Sequence, residues 1–297
     1  MRFKVGGGAG WRATLSKSLT FILATTAAAF AGDRYHIAQK AMARLPIGEF
    51  AEIAKDERAA ARDDFQDSAR VVPCPNQTSR TMVVALLGQS NAANYAEHRS
   101  AAVDPRISVF YHGKCYEARD PLLGATGFRG SVWPTFAKTI VKSGKFDQVV
   151  LVPAAIGGTP LVSWAPGGIY WDRVVSRISG LRRAGLKVTH FLIGQGEREA
   201  NSGEDGVVYK QHAVRLLLAL RATGAEVYFA TTGQCSGAQN NRIRFAQESA
   251  RLETGTFAGP DMDLVGPEHR VRGCHLDDFG TRMVALGWAN AVINPSG

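Results

Sequence analysis

The 297-residue sequence has no run of five or six like charges, no internal repeat and no low-complexity tract. It has no Cys-x-x-Cys pair, and therefore no zinc-ribbon or zinc-finger spacing. It lacks an RNP-like motif and a basic helix, so its formal net charge of +9 comes from scattered Lys and Arg. Scattered cations argue against a nucleic-acid partner and favour an anionic polysaccharide or envelope surface. The uncharged apolar run Ser18–Ala31 falls short of the ~20 residues that a spanning helix needs.

That run has a second meaning. Arg2, Lys4, Arg12 and Lys17 precede it, and Ala29-Phe30-Ala31 ends it in a small-x-small pattern. Basic leader, short apolar segment and small residues together read as a secretory signal peptide over residues 1–31. An uncleaved N-terminal anchor, giving membrane association, is the alternative. Export would place the protein in the periplasm or outside the cell, where disulfides persist. The four cysteines, Cys74, Cys115, Cys235 and Cys274, then allow three pairings. Cys74 with Cys115 and Cys235 with Cys274 is the expected one, because each bond ties neighbouring loops. Four reduced thiols are the reading if the chain stays inside the cell.

Residues 32–72 are rich in Ala, Arg, Asp and Glu at broadly helical spacing and read as a helical stalk or linker. The stretch VVPCPNQTS (Val71–Ser79) carries two prolines and marks the boundary with a domain over 73–297. From there, β-rich runs at Met82–Leu87, Gln148–Val152, Val188–Ile193, Glu226–Ala230 and, weakly, Asp263–Val265 alternate with helical patterns. The helical patterns cover Trp133–Lys142, Trp171–Ala184, Val207–Thr223, Asn240–Arg251 and Thr281–Ile293. Alternation of this kind predicts an α/β fold with a central parallel sheet covered on both faces. Ligands of such sheets bind at the carboxyl ends of the strands.

The residues at those carboxyl ends are therefore the candidates for function. Gly88-Gln89-Ser90-Asn91 comes after the first strand, Pro153-Ala154-Ala155-Ile156-Gly157-Gly158 after the second, and Gly194-Gln195-Gly196-Glu197 after the third. Gly273-Cys274-His275 precedes the last helix. Singly, these read as well as a capping serine, a tight turn, a polar loop and a surface histidine. Jointly, they place a nucleophile, backbone and amide donors, and a base after successive elements of one sheet. His112, His190 and His212 have no such context.

These segments resemble the SGNH hydrolases, in the branch of sialate O-acetylesterases and related carbohydrate acetylesterases. The matching blocks are LLGQSNAAN (Leu86–Asn94), PAAIGGTPLVSWAPGG (Pro153–Gly168), THFLIGQGEREAN (Thr189–Asn201) and GCHLDDFGTRMVALGWA (Gly273–Ala289), in family order. The resemblance implies a three-layer, flavodoxin-like sandwich and a serine esterase that deacetylates a carbohydrate without metal or organic cofactor. It makes Ser90 the nucleophile and His275 the general base and acid. Gly157 N–H, Ser90 N–H and the Gln195 side chain would form the oxyanion hole. Asn91 and Glu197 are candidates for touching substrate or orienting a neighbour, and Trp133 or Trp164 could stack on a sugar if not buried in the core.

One position departs from the family. An acid is expected three residues before the histidine, and this chain has Arg272 there. Losing the aspartate of a related triad costs about 10⁴-fold in rate. Three explanations are open: a main-chain carbonyl orients His275, Glu197 or Asp263 substitutes, or the enzyme is weak. Asp277 and Asp278 read as caps of the last helix. A catalytically weakened glycan-binding or envelope-polysaccharide protein is the alternative function, and acetyl transfer between glycans is a third.

Overall fold

The computed structural model describes residues 69–236 and 239–296. The leader, and the stalk up to residue 68, lie outside the described residues. Val71–Val72 (β1) is already hydrogen-bonded into the sheet, pairing with Tyr116 and Cys115, so the last residues of the expected linker overlap the domain.

The organising element is β2, Thr81–Gly88, whose every residue is buried. Both of its faces are apolar, as a strand covered by helices on two sides requires. Met82, Val84 and Leu86 point to one core, and Val83, Ala85 and Leu87 to the other. The remaining strands are β3 (Ala101–Ala102), β4 (Ile107–Tyr111), β5 (Lys114–Arg119), β6 (Gln148–Pro153), β7 (His190–Gly194), β8 (Glu226–Thr231) and β9 (Phe257–Asp261). A separate short ribbon pairs β10 (Arg270–Val271) with β11 (His275–Leu276).

Spatial order in the main sheet is β1-β5-β4-β6-β2-β7-β8-β9, with β3 on β5. Pairing is parallel from β4 through β9 and antiparallel where β5 meets β1, β3 and β4. The sheet is thus mixed, with a parallel centre and one antiparallel margin.

Six α-helices flank it among the described residues: α1 (Trp133–Ser143), α2 (Trp171–Arg183), α3 (Glu197–Ser202), α4 (Gly206–Arg221), α5 (Asn241–Thr254) and α6 (Asp278–Ile293). Trp133, Phe136 and Ile140 of α1 meet Trp288 and Val292 of α6 in the first core. Leu181 of α2, Leu216, Leu217 and Leu220 of α4, and Ile243 of α5 fill the second. Each such fully buried side chain contributes about 1.5–3 kcal/mol relative to exposure. Asp205, Asn240 and Asp277 cap α4, α5 and α6 through backbone N–H groups of the first turns.

Two expectations are corrected here. The fifth strand lies at Phe257–Asp261, and Met262–Leu264 forms a 3₁₀ turn. Trp133 and Trp164 are each 1% exposed, with indole N–H groups donating to Ala92 O and Thr159 Oγ1. They belong to the core and offer no face to a sugar. The expected cysteine pairing is the one formed, Cys74–Cys115 and Cys235–Cys274.

Candidate active site

At the end of β2 the chain must turn sharply beside its neighbour β7. Gly88 has φ +126, and a Cβ there would collide with the Gly194 carbonyl, so only glycine fits. Gln89 N–H then donates to Gly194 O at 3.2 Å, and Ser90 opens a single 3₁₀ turn, Ser90–Ala92. Ser90 N–H meets no acceptor among the described residues. It is an orphan donor of the kind that anions and oxyanions use.

Ser90 lines an open cleft of about 740 Å³ together with residues from four other segments. Gly157 and Gly158 follow β6; Arg198, Asn201 and Ser202 lie on α3; Cys235 and Ser236 follow β8; Arg272, Cys274 and His275 form the histidine loop. Ser90, Gly157 and His275, which the sequence singles out from three distant blocks, are therefore brought to one cleft. Arg198 reaches the Gly158 carbonyl at 2.6 Å.

The histidine loop is held from several sides. Val271 pairs with His275 across the β10–β11 ribbon, and Cys274 is bonded to Cys235. The Cys274 carbonyl accepts from Arg270 Nη1 at 3.1 Å and from Asn91 Nδ2 at 3.3 Å. Ser236 N–H donates to Gly273 O at 2.7 Å. The His275 ring lies 5.2 Å from that of Tyr95, tilted by 36°. Burial, then the cations of Arg272 and Arg129, hold the His275 imidazole below its ordinary pKa. Both effects favour the neutral imidazole, the form that can accept a proton.

None of the acids considered for orienting His275 is hydrogen-bonded to it among the described residues, and Glu197 Oε2 is buried without a partner. Asp263 accepts from Gly233 N–H and pairs with Arg244 at 2.7 Å. Asp277 caps α6 and meets His269 Nδ1 at 3.0 Å, while Asp278 meets His98 Nδ1 at 2.9 Å. Glu197, fully buried, accepts from Asn91 Nδ2 at 2.9 Å through Oε1. Burial pushes its carboxyl up against the opposing Asn91 bond.

Asn91 and Glu197 thus stand behind the cleft wall. They tie the nucleophile turn to α3 and to the carbonyl next to His275.

The oxyanion-hole assignment fares unevenly. Gln195 is 0% exposed, and its Nε2 donates to Thr159 O at 3.1 Å and to Glu199 Oε2 at 2.7 Å. Its Oε1 accepts from Tyr209 at 3.0 Å. The buried carboxylate of Glu199, pushed up to about 7 by burial, draws the amide away from the cleft. Gly157 N–H donates to Thr126 Oγ1 at 2.8 Å. Of the three expected donors, Ser90 N–H alone is uncommitted among the described residues.

Tyr95, Thr126, Arg129 and Ser236 also stand at or beside the site, and their residue types alone do not set them apart in the sequence. Tyr95 comes directly after the nucleophile block, which was its one available signal. Among the described residues no three His, Cys, Asp or Glu gather as metal ligands would.

A family model of carbohydrate esterases, the sialic acid-specific acetylesterases, matches residues 80–271. The chain belongs to this family. It is a carboxylic ester hydrolase of the carbohydrate acetylesterase type. The matched range spans positions 90, 157 and 195 and ends at 271, before His275.

Solved structures share the fold. A protein from Arabidopsis thaliana superposes with a TM-score of 0.60 at 21% identity, covering 72% of this chain and 98% of that one. A carbohydrate acetylesterase from Xanthomonas citri gives a TM-score of 0.50 at 16% identity, covering 71% of this chain and 55% of that one. No curated protein matches the sequence.

Proposed function

We propose that this acetylesterase is exported and removes O-acetyl groups from an acidic carbohydrate of the sialate kind, through an acetyl-serine intermediate. The observation that carries the reading is the shared cleft: Ser90, with an uncommitted N–H, and the half-buried His275 line it together with Arg198 and Arg272. Arginine side chains around an ester-cleaving pair favour a substrate bearing a carboxylate. The leader over residues 1–31 and the two disulfides support an oxidising compartment, periplasmic or extracellular, with the leader either cleaved or kept as an anchor.

The chemistry is that of the pair. His275 accepts the Ser90 hydroxyl proton as Oγ attacks the acetyl carbonyl. Negative charge develops on the carbonyl oxygen and is met by Ser90 N–H. The tetrahedral intermediate collapses, and His275 returns the proton to the departing sugar oxygen. Water then attacks the acetyl-serine, giving its proton to His275, and acetate leaves as Ser90 is reprotonated. Asn91 and Glu197 keep the nucleophile turn and the histidine loop in register.

The test is hydrolysis of O-acetylated sialic acid and of a neutral acetylated sugar by wild type, Ser90→Ala and His275→Ala. Turnover should fall by at least about 10³-fold in both variants, with the acidic ester preferred. Full activity in Ser90→Ala would remove the serine mechanism. One observation favours a second reading, a weakened enzyme that mainly binds glycan: no carboxylate is hydrogen-bonded to His275 among the described residues. Tight binding of the acetylated glycan with negligible turnover in the folded wild type would favour it.

A further inference from the structure

An acyl-transfer site needs more than one donor for its oxyanion, and two of the three expected here are spoken for. Gln195 gives its amide hydrogens to Glu199 and Thr159, and Gly157 N–H binds Thr126 Oγ1. One unassigned donor stands at the same place. The Tyr95 hydroxyl lies 2.6 Å from where a Cβ on Gly157 would sit, so the missing side chain at Gly157 is what lets the phenol approach. Its hydrogen bond inside the fold is a long one, 3.5 Å to Thr126 Oγ1. That oxygen is already taken by Gly157 N–H at 2.8 Å. The phenol is therefore weakly held and lines the cleft with Ser90, Gly157 and His275. Its other end, the ring, rests against the His275 imidazole at 5.2 Å.

We propose that Tyr95 is a catalytic residue of this esterase, its hydroxyl donating to the oxyanion beside Gly157 in the role expected of Gln195. The inference rests on the serine mechanism above. A phenol O–H is a recognised oxyanion donor. In the resting site it keeps only a poor bond, so little is lost when it turns to a developing negative charge. In the transition state the two donors would be Ser90 N–H and Tyr95 O–H. The ring adds a second effect: it covers one side of His275 and helps exclude water from it.

The two effects separate by substitution. Tyr95→Phe keeps the ring and removes the donor. It should lower kcat on p-nitrophenyl acetate by about 10–10³-fold with KM nearly unchanged. It should slow inactivation by a phosphonate ester, whose oxygen mimics the oxyanion, by a similar factor. The acid limb of its pH profile should stay where it is in the wild type. Tyr95→Ala should lose at least as much rate and also move that limb upward, because the imidazole is more hydrated.

Thermal melts of both variants show whether they fold. Wild-type kcat and phosphonate reactivity in a folded Tyr95→Phe, with Ser90→Ala inactive, overturn the Tyr95 assignment and leave the serine esterase standing. Full turnover in Ser90→Ala overturns both together.

Discussion

Arg272 stands where the resemblance in sequence led to the expectation of an acid, and its backbone adopts φ +54, a left-handed turn leading into Gly273 and Cys274. A cation beside the base has a definite consequence. Burial first, and Arg272 and Arg129 after it, disfavour the imidazolium and lower the His275 pKa. The neutral, active form therefore persists to lower pH than for a free imidazole near 6.5. The acid limb of kcat/KM should lie below 6.5, and Arg272→Gln should move it upward while burial keeps it short of the free value. A limb that stays fixed or moves down in Arg272→Gln would mean that another group is the titrating base. At this scale the sequence was legible for placement: Ser90 and His275, singled out from distant blocks, do line one cleft. It was not legible where direction decides. Nothing in GQGE tells which way Gln195 points, and the buried Glu199 that claims its amide looks like any polar residue of a helix start.

Among the elements, the parallel centre was readable because β2, β6, β7 and β8 are apolar runs, the last three each leading into a helix. The β4–β5 hairpin was not. Its strands ISVFY and KCYEAR are joined through His112 and Gly113, and it sits inside a long stretch with no helical partner to announce it. The edge strand β9, FAGPD, carries a glycine and a proline, which argue against a strand on composition. The histidine loop depends on an element from elsewhere in the chain. Cys235–Cys274 fastens it to the loop after β8, closing a separation of 39 residues. A closed loop of that size stabilises the fold by about 4 kcal/mol in the chain-entropy account. Cys235→Ser with Cys274→Ser should therefore lower the unfolding free energy by several kcal/mol. Because Cys274 adjoins His275, activity should fall at temperatures where the variant is still folded. Unfolding curves and kcat measured side by side check this, and unchanged kcat in the folded double variant would limit the bond to a stabilising role.

For the molecule as a whole, the excess of Lys and Arg over Asp and Glu, which persists without residues 1–31, and the arginines at the cleft should act on encounter with an acidic glycan. Such steering fades as the screening length falls from about 10 Å at 0.1 M salt to 3 Å at 1 M. Between those concentrations kcat/KM should drop severalfold for an O-acetylated acidic sugar and hardly change for a neutral ester. Equal responses of the two substrates would sink the idea that charge selects the substrate. The cleft also has a history written into its construction. Ser90 comes after the first long strand of the sheet, His275 precedes the final helix, and nearly the whole domain lies between them. A half-made chain carries Ser90 without His275. Such a chain has no hydrolytic power over the acetyl esters it passes, and the appearance of activity is itself a timestamp for the completion of folding.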